Sequence, residues 1–142
     1  MPFVAVTRVR VRTRRYFPLV LLQLVRSGRQ ERRAEGNLSA ELLREADGTF
    51  WMRSVWHTDA SMQHFIDSPE RRIGMRRLAR WCDEASATQW PQLSSAAPPW
   101  PEAHRRLQEG GRPARVDHPS SDHLAFRIPE PDLGRTRSIR FR

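Results

Sequence analysis

Hydrophobic positions along the chain change period several times, and each change marks an element. Residues 3–12, FVAVTRVRVR, alternate: Phe3, Ala5, Thr7, Val9 and Val11 fall on one face, Val4, Val6, Arg8, Arg10 and Arg12 on the other. A period of two with β-branched residues predicts a first strand, one face of which turns polar along its length. Over residues 16–33 the apolar positions Phe17, Val20, Leu21, Leu24 and Val25 recur at three and four. That spacing predicts an amphipathic helix, with Thr13 near its start and Pro18 in the first turn, where a missing N–H costs little. Gly36-Asn37 breaks it. Residues 38–46 read as a second strand, and Asp47-Gly48 as the hairpin leading to a third over residues 49–57. On that strand Phe50, Met52, Ser54 and Trp56 oppose Trp51, Arg53, Val55 and His57. Both faces carry large apolar groups, so the strand is expected to be central and covered on both sides.

Thr58-Asp59 supplies an N-cap, and Met62, Phe65 and Ile66 follow at helical spacing before Ser68-Pro69 interrupts. A further helix is predicted over residues 70–82, with Met75, Leu78 and Cys82 on one stripe, and a fourth strand over residues 85–90, ended by Pro91. The order β-α-β-β-α-β is that of the α+β, ferredoxin-like split unit. After Trp90 the composition shifts toward proline and serine, which makes the C-terminal extension look irregular. A short helix is expected over residues 101–109, with Trp100, Leu107, Val116 and Phe126 docking on the body. The expected division is a ferredoxin-like domain over residues 1–92, a docking extension over 93–128, and a disordered basic tail over 129–142. The tail has too little apolar surface to offset the entropy of ordering.

Composition narrows the classes. At 142 residues one domain with a real core is expected. The net charge is +9, and all 25 basic residues are arginine. Charge of this size keeps a nucleic-acid-associated protein open as a third reading, although no recognition motif accompanies it. Cys82 stands alone, so there is no disulfide, CxxC pair or metal-binding Cys cluster, which fits a reducing cytoplasm. The N-terminus interleaves apolar residues with arginine, unlike a secretory signal, and the longest apolar run, residues 19–22, falls far short of a membrane span. A cytoplasmic, soluble protein is expected.

The stretch FWMRSVWHTDASMQHF, with Met75, Leu78, WCDEAS at residues 81–86 and Trp90, resembles the antibiotic-biosynthesis-monooxygenase-like superfamily of dimeric α+β barrels. More narrowly it is similar to bacterial monooxygenase-like and spheroidene-monooxygenase-like proteins. RRYFP at residues 14–18, Gly36-Asn37-Leu38, WPEAHRRL at 100–107 and the HPS of 118–120 extend the likeness over residues 3–120. The resemblance implies a homodimer whose two sheets pack face to face, with a pocket in each subunit between sheet and helices. The superfamily includes cofactor-free oxygenases, haem-degrading enzymes and members with no known activity, so the fold leaves function open. Where haem-binding relatives carry Ser-Gly-Ala-His, with the histidine as iron ligand, this chain has Ser68-Pro69-Glu70-Arg71. A guanidinium offers no lone pair, so haem is disfavoured and no cofactor is expected.

The leading expectation is therefore a small-molecule oxidoreductase, a monooxygenase acting on an apolar aromatic or polyene substrate. The alternative is a non-catalytic ligand-binding or structural dimer. His64 and Arg71, seven residues apart on nearly one helical face, are the candidate catalytic pair: histidine to take a phenolic proton, arginine to steady the anion. Tyr16, Asn37, Trp51, Ser54, Trp56, His57, Phe65 and Trp81 are the candidate substrate-binding residues. Against this, tryptophans at such spacing also build ordinary cores, and charged helical residues commonly face solvent. His118 and His123, with Asp117 and Asp122, have ligand chemistry but no metal-site spacing. Arg8, Arg10 and Arg12 form an anion-attracting strip, meet acids across a dimer interface, or are solvated.

Overall fold

The computed structural model describes residues 1–142. Its elements are β1 Phe3–Val11, α1 Phe17–Arg33, β2 Asn37–Glu45, β3 Thr49–Trp56, α2 Asp59–Ile66, α3 Pro69–Trp81, β4 Cys82–Pro91, α4 Trp100–Gly110, β5 Arg112–Pro113, α5 Ser121–Leu124 and β6 Thr136–Phe141. The strands make one antiparallel sheet in the order β5-β4-β1-β3-β2-β6, an α+β ferredoxin-like arrangement with two added edge strands. All eight residues of β3 are buried. Its two apolar faces meet two separate layers, as the absence of a polar face requires.

On one face α1 and α3 cover Val9, Leu42, Phe50, Met52 and Ala85, and α2 closes Trp56 with Met62 and Phe65. On the other face α4 and residues 126–128 cover Val4, Val6, Leu43, Trp51, Val55 and Trp90. Ala103 and Leu107 of α4 are fully buried there, one turn apart on its sheet-facing stripe. Polar ties hold the extension: the His104 Nε2 lies 2.7 Å from the Ile128 carbonyl oxygen, and Gln108 donates to the Phe126 carbonyl while accepting from the Ile128 N–H. The expected barrel dimer would use this face for a partner sheet. Within one chain the face is already occupied by α4.

The tail departs from expectation. Residues 136–141, in the segment expected to be disordered, form β6 on the free edge of β2, with pairs from Ala40↔Phe141 to Glu45↔Thr136. Two features overcome the low apolar content. The ladder satisfies backbone groups of β2 that would otherwise face water, and Phe141 seats its ring directly on Gly28 of α1, where a Cβ would overlap it. An arginine-rich sequence also suits an edge strand, whose charges oppose further pairing.

Candidate active site

The helix-facing side of the sheet is small in its middle. Ala5 pairs with Ser54 and Thr7 with Met52 across β1 and β3, and the short side chains leave a gap that the helices only partly fill. The gap is a small, partly closed cavity of about 10 Å³, bounded by Thr7, Ser54, Trp56, Phe65, Glu31 and Arg71 among others. That is room for about one water-sized molecule. Trp56 and Phe65 stack at 5.5 Å to form its aromatic wall, and the Trp56 indole N–H donates to Ser54 Oγ at 2.9 Å.

Glu31 enters from α1. The buried residues of that helix, Val20, Gln23, Leu24, Ser27, Gly28 and Glu31, continue one stripe, so the carboxylate occupies a position where the helix otherwise presents its core face. Arg71 enters from the first turn of α3, whose N-cap Ser68 accepts from the Arg71 backbone N–H. Its guanidinium donates to Thr7 Oγ1 at 3.1 Å and lies 3.5 Å from Glu31 Oε1. Glu31 Oε2 is buried with no hydrogen-bond partner. Burial pushes the Glu31 carboxyl up from its ordinary value, against the pull of the Arg71 charge and of the nearby Ser54 hydroxyl. Burial likewise lowers Arg71, with Glu31 opposing.

Of the ten residues the sequence singled out, Arg71, Ser54, Trp56 and Phe65 line this cavity. His64 does not: it is exposed on α2 and makes no hydrogen bond. The face shared by positions 64 and 71 assumed one continuous helix, whereas α2 ends at Ile66 and α3 begins afresh at Pro69. His57 lies past the end of β3, exposed, its N–H donating to the Gly36 carbonyl. Trp51 faces the opposite layer, donating to Glu45 Oε2 at 2.7 Å and meeting Trp100 edge-on at 6.5 Å. Tyr16 caps the other end of α1, between the guanidinia of Arg12 and Arg15. Asn37 opens β2, donating to the Ser39 carbonyl. Trp81 closes α3 against the main core. These six are therefore structural neighbours of the fold rather than walls of the cavity. Glu31 was the residue missed. The available signal was its place on the buried stripe of α1, seven residues after Leu24.

Elsewhere, the N-terminal arginines find partners in their own chain: Arg8 pairs with Glu84 at 2.7 Å, both nearly fully buried, and Arg10 with Asp83 at 2.7 Å. His118 is exposed, and His123 Nδ1 accepts from the Ala85 N–H at 3.4 Å. No three His, Cys, Asp or Glu side chains converge on a common point. No helix is long and apolar enough to cross a membrane.

Outside the cavity, and sharing Ile66, Arg71 and Gln89 with it, lies an open groove of about 600 Å³ between α3 and β4. Cavity and groove therefore adjoin, with Ile66, Arg71 and Gln89 as their common wall.

Comparison with known proteins supports the same frame. Rv0793 from Mycobacterium tuberculosis superposes with a TM-score of 0.60 at 14% identity, over 66% of this chain and 97% of that one. A mutant of SnoaB, a cofactor-independent oxygenase from Streptomyces nogalater, gives 0.57 at 16% identity, over 66% and 94%. A conserved protein from Methanosarcina mazei gives 0.59 at 14%, over 65% and 93%. At such identities the likeness is one of fold. No curated protein matches the sequence. The sequence model of antibiotic biosynthesis monooxygenases matches residues 2–77, which include β1, β3, Glu31 and Arg71. With more than half of its length so matched, the chain belongs to the antibiotic biosynthesis monooxygenase family.

Proposed function

We propose that the protein is a small-molecule monooxygenase working without a bound cofactor on an apolar hydroxyaromatic substrate, with Glu31 as the general base and Arg71 as the anion-holding group. The observation that carries this is the buried Glu31 carboxylate, one oxygen set against Arg71 and the other without a partner at the cavity. A carboxyl raised by burial has the basicity to accept a phenolic proton near neutral pH. The neighbouring guanidinium stabilises the phenolate and the superoxide that follows. The reaction balances without an external reductant. Glu31 removes the phenolic proton, and the phenolate passes one electron to dioxygen. The radical pair then joins at a ring carbon, forming a C–O bond. The Glu31 proton goes to the distal oxygen. Loss of the ring C–H proton breaks the O–O bond, leaving a quinone and one water. A chamber the size of one water, walled by Trp56 and Phe65, suits dioxygen, with the ring held outside it.

Membership of the family and the cofactor-independent oxygenase named among the solved structures support this reading. Oxygen uptake with a panel of naphthols and anthrols tests it. Uptake is expected, and Glu31→Gln should lower it by about 10²- to 10⁴-fold. Uptake unaffected by Glu31→Gln would remove Glu31 from the chemistry. The small volume of the chamber favours a second reading, a non-catalytic domain whose pocket is filled by its own side chains. Absence of uptake across the panel, together with no ligand-dependent change in Trp56 fluorescence, would favour it.

A further inference from the structure

The groove outside the chamber bears on what kind of substrate enters. Its floor is apolar, from Ile66, Met75 and Ala87, and its rim carries Arg72 and Arg76. These two guanidinia are one helical turn apart on α3, both exposed, and neither makes an ion pair or a hydrogen bond. Like charges at this spacing repel, and no acidic residue lines the groove to offset them. The buried arginines Arg8 and Arg53 have carboxylate partners, whereas Arg72 and Arg76 stand over an apolar floor without one. Arg71 at the inner end is matched by Glu31. The groove thus holds an uncompensated pair of cations over an apolar floor, within the size range of small-ligand sites.

Resting on Glu31 as the base of the inner chamber, we propose that this groove selects an aromatic substrate bearing a carboxylate, held by Arg72 and Arg76 while its hydroxyl end reaches toward Glu31. Arg76 lies five positions after Arg71, a rise of about 7.5 Å along α3, comparable to a fused two-ring aromatic. A planar carboxylate is the group that guanidinium pairs hold best. The groove lacks an aromatic side chain on which nucleobases would stack, which separates it from a single-strand nucleic-acid channel.

Calorimetric titration with hydroxynaphthoate and naphthol as probes tests this on the full chain. Hydroxynaphthoate should bind about tenfold more tightly than naphthol at low ionic strength, and the preference should vanish at about 1 M salt. The R72Q/R76Q variant, checked by circular dichroism for folding, should bind the two probes alike, and Arg76→Glu alone should lower the preference. Equal affinities in the parent chain, no binding of either probe, or a preference that survives in R72Q/R76Q would overturn the proposal. So would a single-stranded oligonucleotide that displaces hydroxynaphthoate and depends on the same arginines. Glu31→Gln separates the two readings: the base role fails if oxygen uptake persists while the carboxylate preference holds. The groove fails if the preference is missing while Glu31→Gln still abolishes uptake.

Discussion

Replacing Arg71 by methionine keeps a side chain of similar length but strips Glu31 of its partner, and the size of the effect follows from proton linkage. Glu31 is a carboxyl raised above 4.5, so its favourable contribution to folding is full below that pH and is lost as pH rises through its folded value. Removing Arg71 raises the folded value further. The electrostatic penalty is therefore absent below 4.5 and grows with pH above the parent's own folded value. Its ceiling is the free energy of keeping Glu31 protonated, about 4 kcal/mol at pH 7.5, from about 1.36 kcal/mol for each of three pH units. Because Glu31 is already raised in the parent, the expected loss falls below this ceiling. Loss of the hydrogen bond to Thr7 adds about 1 kcal/mol at every pH. In a chain of 142 residues the lost hydrogen bond alone is a fall in Tm of about 4 °C, and the total fall is expected to be larger at pH 8 than at pH 5. Adding Glu31→Gln should restore most of the neutral-pH loss, since an amide has no charge to strand. Thermal unfolding of the parent, the single and the double variants from pH 5 to 8 measures all of this. A penalty for Arg71→Met that is the same at pH 5 and pH 8 would refute the coupling between the two groups.

Three further outcomes check the packing. Gly28→Ala should push Phe141 off α1 and release β6, at about 2 kcal/mol, with trypsin then trimming the chain after Arg137 and Arg140 faster than in the parent. Leu107→Asp should lift α4 from the sheet, losing at least about 3 kcal/mol of burial and baring the Trp51 face. Sedimentation should then show more association than in the parent, and a variant that keeps the parent's association state and stability would contradict the covering role of α4. The Cys82 thiol is pushed up to about 12 by burial, with Asp83 adding to the shift. Iodoacetamide at pH 8 should leave it unmodified in the folded protein and label it rapidly in urea; labelling of the native state would show that the site opens.

Much of the fold was legible in the chain because it is written in short-range pattern. The alternation of residues 3–12, the three-and-four spacing after Phe17, and the Asp47-Gly48 hairpin each specify an element from a few neighbouring residues. The breaks at Ser68-Pro69 were equally plain, yet their consequence for His64 and Arg71 depended on how two separate helices are aimed. Trp56 and Phe65, singled out in the sequence as candidates for a pocket lining, both border the cavity.

What only tertiary structure decided involves groups far apart in sequence. Arg71 meets Thr7 across 64 residues, and Arg8 meets Glu84 across 76. Glu31 reaches the cavity because α1 lies over small residues of β1 and β3, a matter of register and helix placement that local pattern does not encode. Coverage of the second sheet face by α4 and the docking of β6 have the same origin. Periodicity determines which face of an element is apolar; which other face it meets is set by the packing of the whole chain.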